Sequence, residues 1–259
     1  MNTLIVEEKN EFILVVTLNR PEIKNAINSV MMQDLKNVFG NLCQYPTHLK
    51  CVILTANGDA FCAGADLKER KEISLEDWQS QHVWLQGAMR YLVDCPIPVI
   101  SAVNGAAIGG GLELVLASDF AYAASNAVFS QPEVKVGLMP GAMGTQTLAR
   151  ATGLRRAKEL AFTGDKFGTE EALNWGVINK ICAPEKLMEE VMFTANKICE
   201  NAPFAIREIK RAINKSHEFD IKSGYDFELE AYKRVLATKD RAEGILAFNE
   251  KRKPQFSGK

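Results

Sequence analysis

Residues 103–133 read VNGAAIGGGLELVLASDFAYAASNAVFSQPE, and the meaning of this stretch decides that of the whole chain. An apolar strand runs into three consecutive glycines, Gly109, Gly110 and Gly111, and then into a predicted helix from about Gly110 to Ala117 that carries one acid, Glu113. A second acid, Glu133, follows twenty positions later, directly after Pro132. A glycine-rich helix start exposes backbone N–H groups that stabilise negative charge on an oxygen, and two neighbouring carboxylates move protons. The same residues also allow a plain structural account: a turn with close packing, a helix-terminal acid favoured by the macrodipole, and an exposed loop acid.

Upstream, Pro96 and Pro98 separate the strand VISAVNG from an amphipathic helix predicted over residues 74–93 with Ser74 as its cap. CVILTA (51–56) is an earlier apolar strand that leads through NGDAF into CAGADLKER, where Ala63, Gly64 and Ala65 leave the main chain bare for a ligand. Residues 3–18 read as two strands about a polar EEKNE turn, the second apolar throughout, as in a strand buried on both faces. Ser29 is the predicted cap of a helix running to about Cys43, with Val30, Met31, Leu35, Val38, Phe39 and Leu42 at helical spacing.

Downstream, short strands are predicted near 119–124 and 127–130, and GTEEALNWGVINKIC reads as helix, glycine turn and strand. Residues 184–251 look helical and charged, with breaks near Asn201, Ser216 and Lys239, which predicts an added helical layer rather than more of the core. Strand, loop and helix recur at roughly forty to fifty residues, which suggests a repeating or spiral α/β core without an internal sequence repeat.

At 259 residues and 47% hydrophobic content the chain can bury a large core. Its 32 acidic and 31 basic side chains leave a net charge of −1, so neither a nucleic-acid partner nor an anionic membrane is expected. The start MNTLIVEEKN lacks a basic segment followed by an apolar run, and no apolar stretch approaches membrane-spanning length, so neither a targeting peptide nor a membrane span is expected. Six dispersed cysteines without CxxC spacing point to reduced thiols in a cytoplasmic compartment and away from zinc. His48, His82 and His217 lie far apart without HxxxH spacing, so no metal site and no Ser-His hydrolase is expected. His82, on its amphipathic helix, reads as a surface or boundary residue. The dinucleotide fingerprint and the P-loop are both missing.

Two bare loops, around Ala65 and around Gly110, each follow an apolar strand. If the two N–H groups converge on one point, they form an oxyanion hole suited to a thioester enolate or a tetrahedral intermediate. Glu113 lies about one helical turn past Gly110 and stays near the helix mouth. One acid can then activate water while the other moves a proton at carbon, the division of labour for adding water across a polarised C=C bond.

LNRPEIKNAIN, FCAGADLKER, AVNGAAIGGGLELVLASD, FSQPEVKVGLMPGAMGTQ and KDRAEGILAFNEKRKPQF together resemble the crotonase, or enoyl-CoA hydratase/isomerase, superfamily over nearly the whole chain. The resemblance implies a spiral of repeated ββα turns over residues 1–195 and a helical trimerisation region over 196–259, in a homotrimer or a hexamer of two trimers. It implies an oxyanion hole from Ala65 and Gly110, catalytic acids Glu113 and Glu133, and reversible hydration of a 2-enoyl-CoA without metal or redox cofactor. It assigns Ala63, Gly64, Ala65, Asp66, Leu67 and Lys68 to the CoA cradle, Lys24 to the neighbourhood of the phosphates, and Phe248 and Lys251 to that of the nucleotide. The wording of FCAGADLKER and TKDRAEGILAFNEKR is similar to the methylglutaconyl-CoA hydratase branch, whose animal member also binds RNA. The lysine row of that RNA binder is lacking here, where the first helix region has only Lys36 and Lys50. Other crotonase reactions, such as double-bond isomerisation, use the same enolate chemistry, and a non-catalytic acyl-CoA or RNA-binding scaffold is the alternative of a different class. Two positions depart from the common pattern: Met143, expected to reshape the acyl pocket, and Thr147, in place of an arginine.

Overall fold

The computed structural model describes residues 3–44, 47–71 and 73–259. Strands β1 (Leu4–Asn10) and β2 (Ile13–Leu18) form an antiparallel hairpin. Its turn is tighter than predicted: Glu7, Glu8 and Lys9 stay in β1, and the Asn10 Oδ1 accepts the N–H groups of Phe12 and Ile13 at 2.9 Å each. An Asn side chain closing the loop in this way replaces a backbone turn.

Helix α1 (Ser29–Gln44) buries Met31, Met32, Leu35, Val38, Phe39 and Leu42, while Val30 is 43% exposed and falls off that stripe. Asn28, not Ser29, caps it, its Oδ1 accepting the Met31 N–H at 3.0 Å. Ser29 instead donates its N–H and hydroxyl to Glu69, at 2.9 and 2.6 Å.

Three successive turns then repeat one plan, a long strand, a short strand and a helix. They comprise β3 (Cys51–Ala56), β4 (Ala60–Cys62), α2 (Leu67–Lys71) and α3 (Leu75–Val93); β5 (Val99–Val103), β6 (Ala106–Ile108) and α4 (Gly110–Ala117); and β7 (Phe120–Ala124), β8 (Phe129–Ser130) and α5 (Gly144–Thr152). Ser74 caps α3 as predicted, accepting the Asp77 N–H at 3.0 Å. Long strands pair in the order β1-β2-β3-β5-β7-β9, with β9 spanning Lys180–Cys182, and the short strands form a second sheet, β4-β6-β8. Among the described residues every pairing of these strands except β1–β2 is parallel, and an isolated antiparallel bridge joins Phe129 to Phe167. This is the spiral of ββα turns. Helices α6 (Leu154–Thr163) and α7 (Thr169–Asn174) lie between β8 and β9 in the chain.

Both faces of the large sheet are covered, which is why its strands read as continuous apolar runs. Leu14, Val16 and Leu18 point into the main core with α1, α3 and α4, while Ile13 and Val15 point to the other side. That second face is covered by α8 (Leu187–Cys199), whose Leu187, Val191 and Ala195 recur every fourth residue and are fully buried. The charged helical character that begins at Pro184 therefore does not mark the edge of the core. The division at 195/196 falls inside α8. Beyond it, α9 (Pro203–Lys215), α10 (Ile221–Leu236) and α11 (Lys239–Glu250) form the C-terminal layer. Buried Glu208 of α9 receives Arg234 of α10 through two N–H groups at 3.1 and 2.6 Å. Among the described residues no helix is long and apolar enough to cross a membrane.

Candidate active site

Parallel strands β4, β6 and β8 end side by side, so the loops that follow them open onto one cleft. An isolated bridge joins Ile27 to Ala65: the Ile27 N–H donates to Gly64 O at 2.7 Å and the Asp66 N–H donates to Ile27 O at 2.9 Å. Alternate peptide groups of an extended chain point in opposite directions, so the N–H of Ala65 itself turns away from Ile27. Gly64 has φ +88°, and a Cβ on it would stand 2.7 Å from Ile108 O and 3.4 Å from Gly110 N. The bare loop thus lies directly against the first turn of α4, whose leading N–H groups have no partner within the helix. Ala65 and Gly110 line the same cavity of about 260 Å³.

The two acids border that cavity. Gly109 has φ +54° and ψ −119°, a conformation for glycine, and a Cβ there would meet Glu133 Oε1 at 2.9 Å. One residue on, a Cβ on Gly110 would lie 3.9 Å from Glu113 Oε2. The helix mouth therefore faces both carboxyls.

Glu113 is only 3% exposed, and its Oε1 accepts the N–H groups of Ala142 and Gly144 at 2.8 Å each. Burial pushes its carboxyl up to about 7, against the two N–H donors that favour the charge; nearby Glu133 adds to the rise and Arg70 opposes it. Glu133 begins a 3-10 turn, Glu133–Val136, and its Oε1 accepts from Gln131 Nε2 at 2.9 Å. Its Oε2 is buried without a hydrogen-bond partner among the described residues, and burial raises this carboxyl as well.

Of the predicted CoA residues, Ala63, Gly64, Ala65 and Leu67 line the cavity. Asp66 does not: its carboxylate is tied to Arg20 at 3.2 Å and meets the Glu69 N–H at 3.4 Å, as part of the loop frame. Lys68 is exposed on α2 outside the cavity. Lys24 is exposed with φ +54°, and what it gives the loop is backbone, its carbonyl accepting the Ala63 N–H at 2.9 Å. Phe248 and Lys251 sit at the end of α11, away from the cavity of their own chain, and Phe248 is 83% exposed. Met143 is also outside the cavity lining. It has φ +74° at the start of α5, and its side chain is partly exposed, so an acyl-pocket role for that side chain has no support in the fold.

Several lining residues escape sequence reasoning. Arg70 stacks on Trp78, with Cζ 4.5 Å from the ring centroid, and both line the cavity with Leu85, Lys135, Leu138 and Met139. Burial lowers the Arg70 guanidinium from its ordinary value. Leu67 and Arg70 share a helix face at i, i+3, a spacing that signals their common exposure to the cleft. His82 packs its ring on Gly141, where a Cβ would lie 2.8 Å from Cε1, and burial followed by the charge of Arg70 lowers its proton affinity. Asn25 is fully buried; its Nδ2 donates to Asn57 O and Ala60 O at 2.8 and 2.9 Å, and its Oδ1 accepts the Arg20 N–H at 2.8 Å.

A ββα spiral with two loop N–H groups and two acids on one cleft has the architecture of the crotonase superfamily. Residues 8–259 match the family described as enoyl-CoA hydratase/isomerase, and the chain belongs to that family. It is 40% identical to the short-chain-enoyl-CoA hydratase of Clostridium acetobutylicum, over 98% of this chain and 97% of that one. It is 38% identical to the crotonyl-CoA hydratase of Syntrophomonas wolfei, over 98% of each chain. The crystal structure of an enoyl-CoA hydratase from Bacillus anthracis aligns with a TM-score of 0.96 at 37% identity, covering 99% of this chain and 100% of that chain.

Because the Glu113 carboxyl stands at about 7 in the fold against an ordinary 4.5, the folded state favours its protonated form. The stability this gives is present below the ordinary value and is lost as pH rises through about 7. Glu113→Gln, which cannot ionise, is therefore expected to melt with the parent protein near pH 4 and above it at pH 8. The difference corresponds to roughly 3 kcal/mol at most, and melting curves across that range check it. Equal melting at pH 8 would show that the buried carboxylate costs nothing.

Proposed function

We propose that this protein is an enoyl-CoA hydratase that reversibly adds water across the 2,3 double bond of a 2-enoyl-CoA thioester. The observation that carries the reading is the meeting of Glu113 and Glu133 with the Ala65 and Gly110 loops on one cavity. The thioester oxygen is received by the Ala65 and Gly110 N–H groups, which take up the negative charge that develops as the enolate forms. Water attacks the β-carbon, its oxygen forming the new C–O bond as the C=C electron pair moves toward the thioester. Glu113, whose two N–H donors offset part of the cost of burial and leave its carboxyl at about 7, is ionised in part at neutral pH and takes the water proton. Glu133, whose Oε2 has no competing partner, delivers a proton to the α-carbon as the enolate collapses. This chemistry calls on no metal or redox cofactor, since CoA is part of the substrate.

The reading is tested by the loss of conjugated-thioester absorbance with crotonyl-CoA. Glu113→Gln and Glu133→Gln are each expected to lower turnover by roughly two to four powers of ten while acyl-CoA binding is retained. Folded protein that hydrates no 2-enoyl-CoA would overturn it.

A second acyl group is favoured by Arg70, a half-buried cation that lines the cavity stacked on Trp78. It suits an acyl chain ending in a carboxylate, as in 3-methylglutaconyl-CoA. Arg70→Met is expected to lower kcat/KM for that substrate about ten- to a hundredfold more than for crotonyl-CoA. An equal loss on both substrates would rule the carboxylate preference out.

Residues 196–259 serve, in this reading, as the trimerisation region of a homotrimer or of a hexamer of two trimers. The C-terminal layer leaves Ile209, Ile213, Tyr225 and Tyr232 at its surface, as a face covered by another copy would. Phe248 and Lys251, which do not line their own cavity, would then act at a neighbouring protomer. A monomer by light scattering would refute this. Six free thiols suit the reducing cytoplasmic compartment expected for the chain.

A further inference from the structure

The Glu113 carboxylate is gripped at one oxygen by two amides, Ala142 N–H and Gly144 N–H, each at 2.8 Å. The residue between those donors, Met143, has φ +74° and ψ +2°. The two donors are two peptide units apart, and a left-handed residue between them can fold a short run of successive N–H groups into a concave anion cradle. Glycine or asparagine adopts that region more readily than methionine does. The Met143 peptide is pinned from behind: its carbonyl accepts the N–H groups of Gln146 and Thr147 at 2.9 Å each and the Thr147 hydroxyl at 3.1 Å. The next residue must be bare, because a Cβ on Gly144 would stand 2.7 Å from Glu113 Oε1. The Met143 side chain does not line the cavity.

We infer that Met143 is a positioning residue whose left-handed backbone, rather than its side chain, aims the Ala142 and Gly144 N–H groups at Glu113 and fixes its carboxylate. The use of that carboxylate on water rests on the proposed hydration; the aiming does not. Other charged groups act on Glu113 as well: Glu133 from the 3-10 turn raises its proton affinity and Arg70 from α2 lowers it. His82 of α3 packs on Gly141 of the same loop.

The test compares Met143→Gly, Met143→Asn, Met143→Ala and Met143→Val by thermal melting and by Glu113 titration, read from carboxyl NMR without substrate. Glycine and asparagine accept left-handed φ and are expected to raise the melting temperature by about 2–4 °C. They should leave the Glu113 midpoint within about half a unit. Valine, branched at Cβ, is expected to force the turn open and move the midpoint upward by about one unit or more. The acid limb of kcat should follow it, with kcat at pH 7 down by about fivefold or more and KM within about twofold.

A valine variant with the parent midpoint and pH profile would overturn the inference, as would a glycine variant displaced as far as valine. Should the valine variant not fold, the melting order of the other three decides. Glycine and asparagine above alanine and the parent supports the backbone role, whereas an order following side-chain size refutes it. Failure of hydratase activity would leave the melting order and the titration readable, so the two ideas fail separately.

Discussion

Helix α4 rests on strand β4 through bare backbone: the carbonyl of Cys62 comes so close to Gly111 that a Cβ there would stand 2.3 Å away. Most of the site depends on this contact. It sets how deeply the helix mouth sits against the loop Ala63–Asp66, so that loops from two different turns of the spiral line one cavity. A side chain on Gly111 would have to push the helix mouth off that strand, and displacements of about 1 Å are costly where reacting atoms must be aligned. Asn25 and Arg20 hold the other side of the frame. Asn25 joins the loops after β2 and β3, and Arg20 reaches Ala26 O at 2.6 Å as well as Asp66, so that Ile27, and through it Ala65, has little freedom.

The frame contains local conformations that are unfavourable on their own. Of the four non-glycine residues with positive φ among the described residues, three, Lys24, Asn25 and Met143, belong to loops that shape the cleft. One carboxyl is buried there and a second partly so, and the second has an oxygen without a partner among the described residues. Such features persist only where surrounding structure over-determines them, and they concentrate where chemistry is done. Here that structure is the double-sided core of the large sheet.

Much of this was legible in the chain. Apolar runs bounded by proline and glycine located the strands, Ser74 announced its helix, and the triple glycine with Glu113 marked the helix mouth, because each rests on local chemistry. What stayed hidden rests on contacts across long separations. Asp66 reads as part of a ligand loop but serves Arg20, 46 residues earlier. Arg70 and Trp78 meet across a break between two helices, where periodicity carries no information. The charged outer face of α8 masks an inner face with an apolar residue at every fourth position. Met143 stands out in the sequence as a large side chain, yet its consequence is in its backbone dihedral.

The position of α8 in the chain also bears on how the protein is made. One face of the large sheet, carrying Ile13, Val15, Ile53 and Ile100, is completed from strands synthesised early, but its cover, Leu187–Cys199, emerges last among the core elements. Until then the nascent sheet presents an apolar surface, and until β9 follows it also has an unpaired edge at β7, features that make partly folded chains aggregate or bind chaperones. Its long-range parallel pairings also close slowly. The helix that covers the sheet is thus also what ends the vulnerable stage of biosynthesis.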